Sequence, residues 1–128
     1  MRSVTACAVD CLNPAVAAYA LARSATLCDF ADAVLLTDAT LSVAPDVRIE
    51  IIDHIGSREA YSRFVLTELH RYVRTSHMLI MQWDGFVSDP AAWRPEFFEY
   101  DYIGPRWPWN EEPHNVGNGV FFRFARND

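Results

Sequence analysis

The chain has 128 residues, of which 51% are hydrophobic and 22% charged, and its formal net charge at pH 7 is −6. A chain of this length buries roughly two-thirds of its unfolded surface, so the composition predicts a single folded domain over residues 1–128 and excludes a disordered protein. The acidic balance, without a Lys/Arg run, excludes nucleic acid as an expected partner, and the apolar runs are too short for a transmembrane segment. Residues 1–3 lead into a strand pattern rather than a signal peptide, so we expect a cytoplasmic protein.

The first half of the chain alternates strand and helix patterns. An apolar run at residues 4–9 predicts a strand, and Asn13 followed by Pro14 is typical of an N-cap and a first helical position. The helix pattern that follows, residues 15–28, is apolar on nearly every face, which predicts burial against a sheet. Residues 31–37 predict a second strand, which ends at Asp38.

A third strand, a second helix and a fourth strand come next. Residues 47–52 are mostly β-branched, and residues 61–73 carry apolar side chains at three- and four-residue steps after Gly56 and Ser57. Residues 77–81 form a compact apolar run that predicts a fully buried central strand. This alternation is typical of βαβ crossovers and predicts an α/β fold, a three-layer sandwich with a mostly parallel sheet and helices on both faces.

The last third of the chain differs in composition. Residues 86–118 are rich in aromatic side chains and prolines, which predicts a loop-rich segment packed by its rings. Residues 120–125 predict a final strand.

The cysteines and histidines give no metal-binding pattern. Cys7, Cys11 and Cys28 lack CxxC spacing and are predicted to be reduced, small apolar side chains rather than ligands. Two histidines, His70 and His77, fall in a helix and a strand and are expected to be structural, whereas His54 and His114 fall in loops that can approach a site.

Polar side chains stand at the end of each predicted strand. They are Asp10, Asp38, Asp53 with His54, and Gln82 with Asp84. Ligands of open parallel sheets collect at the carboxyl ends of strands, so these side chains are the first candidates for a binding site. The carboxylate of Asp84, followed by Gly85, suits a hard cation that carries phosphate oxygens, although an Asp-Gly pair is also typical of a simple turn.

Four separated blocks carry a resemblance to a known family. They are Tyr-Ser-Arg-Phe at residues 61–64, Leu-Ile-Met-Gln-Trp-Asp-Gly-Phe at 79–86, Glu-Tyr-Asp-Tyr-Ile-Gly at 99–104 and Val-Gly-Asn-Gly at 116–119. Their order and spacing resemble an uncharacterised family, a domain of unknown function grouped with A-type glycosyltransferases. The resemblance implies an A-type glycosyltransferase fold with a Rossmann-like nucleotide-binding half. It also implies a nucleotide-sugar donor, a UDP- or GDP-sugar, and a glycan or other hydroxyl acceptor.

The resemblance also implies roles for residues of the donor site. The loop from Asp10 to Asn13 and the carboxylate of Asp38 would hold the base and the ribose. A second loop stands where related enzymes keep their metal-binding Asp-x-Asp, and it consists of Gln82, Trp83, Asp84 and Gly85. Asp84 would reach the diphosphate through Mn²⁺ or Mg²⁺, and it is the one anionic ligand because Gln82 replaces the first carboxylate of the motif.

A sugar or acceptor pocket is implied further along the chain. Trp107 and the loop of Gly117, Asn118 and Gly119 would shape it, although Asn-Gly is also a strong hairpin signal. Glu99 and Asp101 are candidates for the base that deprotonates an acceptor hydroxyl.

Two other functions compete with glycosyl transfer. A metal-dependent phosphatase uses a similar Asp-x-Asp-Gly loop, but the amide of Gln82 cannot form its aspartyl-phosphate intermediate. Transferases of this fold continue well beyond the Gly-Asn-Gly loop. The chain is therefore also interpreted as a C-terminally shortened, catalytically incomplete relative that binds a nucleotide or a carbohydrate.

Overall fold

A mixed sheet of six strands forms the centre of the part of the protein that the structure, a computed structural model, describes: residues 3–82, 85–103 and 121–123. The strands are β1 (Val4–Val9), β2 (Asp32–Thr37), β3 (Arg48–Ile51), β4 (His77–Ile80), β5 (Tyr102–Ile103) and β6 (Phe121–Arg123). Their order across the sheet is β3-β2-β1-β4-β6-β5.

The first four strands are parallel to one another. β1 pairs with β2 on one side and with β4 on the other, and β2 pairs with β3. β6 is antiparallel to both β4 and β5. The predicted α/β fold with a mostly parallel sheet is therefore confirmed. Because the chain builds outward from β1 first to one side and then to the other, the strand order reverses between β1 and β4.

One helix packs on each face of the sheet. Alternate side chains of a strand point to opposite faces, so Ala6 and Ala8 of β1 pack in a cluster with α1 (Pro14–Leu27), while Cys7 and Val9 pack in a second cluster. The second cluster includes partly buried side chains of α2 (Arg58–Thr67) and the buried Leu69 of the 3-10 turn Leu69–Tyr72. Within the described residues, neither helix has the length and apolarity needed to cross a membrane.

The prediction that α1 is buried on nearly every face is wrong. Its buried side chains are Ala17, Ala18, Ala20, Leu21 and Ser24. On the opposite side, Val16, Tyr19 and Leu27 are 46%, 66% and 43% exposed. The small residues of one stripe let the helix approach the sheet closely, whereas no described element covers the other stripe.

The second predicted helix is divided in two. It was expected to continue through residue 73, but α2 ends at Thr67 and the chain tightens into the 3-10 turn Leu69–Tyr72. A 3-10 turn winds more tightly than an α-helix, with three residues per turn. Leu69 is completely buried in this turn. The rings of Phe64 and Tyr72 are stacked, with their centroids 6.1 Å apart.

The aromatic segment contains more regular structure than predicted. Within residues 86–103 it forms 3-10 turns at Pro90–Ala92 and Pro95–Glu99 and the short strand β5. The expected packing of rings is present, since the ring centroid of Trp93 lies 5.2 Å from that of Phe97 and 5.4 Å from that of Phe98. Residues 104–120 lie outside the described part of the chain, and β6 confirms the strand predicted at residues 120–125 for its described positions.

Arg48 links β3 to β2 and to the 3-10 turn through ion pairs and a hydrogen bond. Its guanidinium lies 2.9 Å from Asp32 on β2, forms an ion pair with Glu50, and donates a 2.9 Å hydrogen bond to the carbonyl of Tyr72. A planar guanidinium with several donors can satisfy all three partners at once. This strand at the edge of the sheet is thereby joined both to its neighbour and to the 3-10 turn.

Candidate functional site

A cleft of about 350 Å³ opens at the carboxyl ends of β1 and β4, where the strand order reverses. Ala8 and Met81 contribute to its apolar wall, and polar side chains reach it from three segments: Asp10 after β1, then Ser57, Arg58 and Tyr61 of the second helical segment, and Gln82 after β4. An apolar cleft with a few convergent polar groups is typical of a small-molecule site. Asp10 and Gln82, two residues predicted from the sequence, are brought together here.

Asp10 organises the loop that leads from β1 into α1. Its Oδ1 accepts hydrogen bonds from the backbone N–H groups of Leu12 and Asn13, at 2.8 and 2.7 Å. Asn13 is the N-cap residue, as predicted, but its side chain forms no capping hydrogen bond. The carboxylate of Asp10 therefore fixes the loop at the rim of the cleft, while Asn13 is exposed beside it.

The start of α2 borders the cleft on the other side. Ser57 is its N-cap and accepts a hydrogen bond from the N–H of Ala60 at 3.1 Å, and Gly56 and Arg58 line the cleft next to it. Backbone N–H groups at a helix N-terminus carry partial positive charge, and the guanidinium of Arg58 adds a full one. Glu59 in the same turn offsets part of this charge. The combination suits an anionic group.

Tyr61 and Gln82 connect α2 to the loop after β4. Both residues line the cleft. Burial raises the pKa of the Tyr61 hydroxyl, and the nearby Gln82 side chain partly opposes the rise. Gln82 therefore borders the cleft at the start of the loop after β4, opposite the phenol of α2.

The loop after β4 is anchored at both of its described ends. The backbone groups of Gln82 and Gly85 exchange two hydrogen bonds, at 3.0 and 3.1 Å, and the N–H of Val87 donates to the hydroxyl of the buried Ser24 on α1 at 3.1 Å. A Cβ at Gly85 would meet no atom of the described residues within 4 Å, so packing against this part of the chain does not require a glycine there. The predicted site residues Trp83 and Asp84 lie outside the described residues.

Asp38 is part of a separate cluster next to the cleft. Its Oδ2 lies 2.7 Å from Nδ1 of His54, and Cys11 completes a group whose ligand atoms lie within 4.8 Å of one another. The hydrogen bond to His54 holds the pKa of the Asp38 carboxyl below its usual range, and a hydrogen bond to the Cys11 side chain acts in the same direction. Since Cys11 also lines the cleft, the cluster and the cleft share one residue.

The remaining candidates fall away from the cleft or outside the described residues. Tyr102 of β5 pairs with Phe122 of β6, and Phe122 pairs in turn with Met78 near the start of β4. Glu99 and Asp101 precede Tyr102, so they lie toward the amino ends of the parallel strands, whereas the cleft lies at the carboxyl ends. The rings of Phe98 and His77 also meet edge to face, with their centroids 4.9 Å apart, which agrees with a position near the start of β4. Trp107, Gly117, Asn118 and Gly119 lie outside the described part of the chain.

Sequence reasoning missed several residues that the fold brings to the site. It assigned Tyr61 to the helix face that packs on the sheet, interpreted Cys11 as a small apolar side chain in the loop after β1, and gave Arg58 no role. A local signal was present for Arg58, since Gly56 and Ser57 directly before a helix pattern mark an N-terminus of the kind that binds anions. No local signal joins Cys11 to Asp38 and His54, because their loops meet only after three strands have paired.

Comparison with known families places most of the chain in one group. The family model described as "Protein of unknown function (DUF5672)" matches residues 46–122. The match spans the third strand, α2, β4 and the aromatic segment. No curated protein and no solved structure matches the chain.

Proposed function

The chain belongs to the family of proteins of unknown function DUF5672, and from its cleft we propose that it binds a nucleotide-sugar donor and transfers the sugar to a hydroxyl acceptor. The observation that carries the proposal is the position of the cleft at the carboxyl ends of β1 and β4, where the strand order reverses. Nucleotides bind at this point in doubly wound sheets, because loops and a helix N-terminus converge there.

The described side chains divide the cleft into an apolar and a charged part. Leu12 and Ile55, which line the cleft and are exposed and half-buried, contribute apolar surface against which a flat nucleobase packs, and the loop held by Asp10 provides polar edges. Opposite them, Arg58 and the N-terminus of α2 provide the positive charge that a diphosphate requires. The two parts lie in the same cleft, as the two ends of a nucleoside diphosphate require.

The metal and the finer fold class are part of the same proposal. Asp84 belongs to the loop whose described ends, Gln82 and Gly85, are joined by two backbone hydrogen bonds at the edge of the cleft, so its carboxylate is the group we assign to a Mn²⁺ or Mg²⁺ ion carried by the diphosphate. The ion would offset the charge that builds on the departing nucleotide. The parallel sheet with one helix on each face is compatible with the nucleotide-binding half of a three-layer A-type glycosyltransferase fold.

Isothermal calorimetry with uridine and guanosine diphosphate tests the proposal. We expect binding that strengthens when Mn²⁺ is added, and Asp84→Ala is expected to remove the metal dependence. Arg58→Gln should weaken binding by about tenfold or more, because a charge-assisted hydrogen bond to phosphate contributes roughly 1.5–3 kcal/mol. Arg23→Gln, which removes the same charge from an exposed position on α1, serves as the matched control.

Three outcomes decide between the functions. Release of nucleoside diphosphate from a sugar donor in the presence of an acceptor establishes transfer. Binding without turnover reduces the protein to a nucleotide-binding relative. Absence of binding by either nucleotide, or equal losses in Arg58→Gln and Arg23→Gln, overturns the assignment of the cleft.

A further inference from the structure

We propose that Cys11, Asp38 and His54 form a zinc site, independent of the nucleotide proposal. The three residues follow β1, β2 and β3, which are adjacent in the sheet, so the strands themselves bring the side chains together. One thiol, carboxylate or imidazole ligand atom from each lies within 4.8 Å of the other two.

The chemistry of the three side chains selects the metal. Thiolate sulfur, imidazole nitrogen and carboxylate oxygen together are the ligand set that Zn²⁺ accepts, whereas Mg²⁺ and Ca²⁺ prefer oxygen alone. Zinc bonds of about 2.0–2.3 Å in tetrahedral geometry set ligand atoms roughly 3.3–3.6 Å apart. The ligand atoms lie within 4.8 Å of one another, so the cluster reaches that geometry through small side-chain rotations, with the 2.7 Å contact between Asp38 and His54 opening slightly.

The arrangement differs from that of a nucleophilic cysteine. In a Cys-His-Asp triad the histidine stands between the thiol and the carboxylate. Here Nδ1 of His54 contacts the carboxylate of Asp38 at 2.7 Å, whereas among the described residues Sγ of Cys11 accepts from the N–H of Ile55 and not from His54. Three ligand atoms that lie within 4.8 Å of one another without this relay suit a shared cation.

The surroundings of the cluster favour a bound cation. The N–H of Ile55 donates to Sγ of Cys11 at 3.4 Å, which stabilises negative charge on the sulfur. The side chains of His54 and Asp38 are 56% and 31% exposed, so a metal reaches them from solvent and keeps a fourth position open to water. Because Cys11 also lines the cleft, a bound zinc ion fixes one wall of the proposed nucleotide site.

Cobalt(II) titration of the full chain tests the site, since Co²⁺ bound by a thiolate gives a charge-transfer absorption that Zn²⁺ then abolishes by displacement. We expect this absorption in the wild-type protein. Cys11→Ser should lose it, and His54→Gln should weaken metal binding by about 100-fold or more. Cys28→Ser, which removes a cysteine outside the cluster, and Asp84→Ala, which removes the proposed magnesium or manganese ligand, should keep it unchanged.

Thermal unfolding separates loss of the site from loss of the fold. Zn²⁺ in large excess over its dissociation constant should raise the Tm of the wild type and of Cys28→Ser by several degrees, raise the Tm of His54→Gln by much less, and leave the Tm of Cys11→Ser unchanged. The two cluster variants should unfold cooperatively in the absence of metal, because their side chains are not part of the buried core. No thiolate absorption in the wild type, or its persistence in Cys11→Ser, overturns the proposal.

Discussion

At the scale of single residues, burial changes the acid–base behaviour of a cysteine. Cys7 lies in the middle of β1, fully buried, and burial raises the pKa of its thiol from 9.0 to about 12. The unfolded chain therefore loses this proton at lower pH than the folded protein does. The resulting contribution to stability is fully present below pH 9 and is lost as the pH rises toward 12.

We predict that the wild type loses more stability at alkaline pH than Cys7→Ala does. Between about pH 8 and pH 10.5, the wild type should lose roughly 2 kcal/mol more of its free energy of unfolding than the variant. Urea unfolding of both proteins at the two pH values measures the difference. Equal losses in the two proteins would contradict the assignment to Cys7.

Gly85 offers a second test at this scale. It is either part of a simple turn or a position where a ligand approaches the backbone, and the two interpretations predict different effects of a substitution. Its φ is not positive and an added Cβ would meet none of the described atoms within 4 Å, so Gly85→Ala should change the free energy of unfolding by less than about 0.5 kcal/mol. If a diphosphate approaches this backbone, the same substitution should weaken nucleotide binding. Denaturation and calorimetry on the one variant distinguish the roles, and unchanged affinity would remove Gly85 from the site.

At the scale of elements, the N-termini of the two helices differ in their capping hydrogen bonds. The hydroxyl of Ser57 caps α2, whereas the side chain of Asn13 does not cap α1. Ser57→Ala should therefore cost about 1 kcal/mol of unfolding free energy, and Asn13→Ala less than about half of that. Ser62→Ala, exposed within α2, controls for the change in helix propensity. Comparable losses in Ser57→Ala and Asn13→Ala would refute the assignment.

The sequence predicts a strand most accurately where a compact apolar run ends at a polar side chain. β1, β2 and β4 were placed within a residue or two, since each is a run of apolar side chains that ends at a polar one. The end of α2 was misplaced because the apolar pattern of residues 61–73 continues through the 3-10 turn. β5 has two residues and carries no pattern of its own; its pairing with β6 defines it.

At the scale of the whole molecule, the parallel sheet and its two covered faces follow from alternation of strands and helices. The site follows only in part. Asp10 and Gln82 could be placed in a cleft because both end a strand at the same edge of the sheet. Arg58, Cys11 and the separate position of Asp38 depend on which strands are neighbours, and that order is a tertiary property which no local spacing encodes.

The core between the sheet and α1 should limit global stability. Leu35 of β2 is completely buried there, so Leu35→Ala is expected to cost about 2–5 kcal/mol through lost burial and the cavity left behind. Leu66, 75% exposed on α2, is the matched control, and Leu66→Ala should cost less than about 0.5 kcal/mol. Urea unfolding measures both. A loss below about 1 kcal/mol for Leu35→Ala would mean that this cluster is not the cooperative core.

The ion pairs of Arg48 also affect whether a second polypeptide chain can pair with β3. Among the described strands β3 has a neighbour on one side only, and an edge strand of this kind is a template on which another polypeptide can add. Arg48 and Glu50 place a cation and an anion on this edge strand, and contacts with each other and with Asp32 hold them in position. A second chain that paired with β3 would have to strip water from these charges. The network that anchors the strand thereby also opposes intermolecular sheet extension and aggregation.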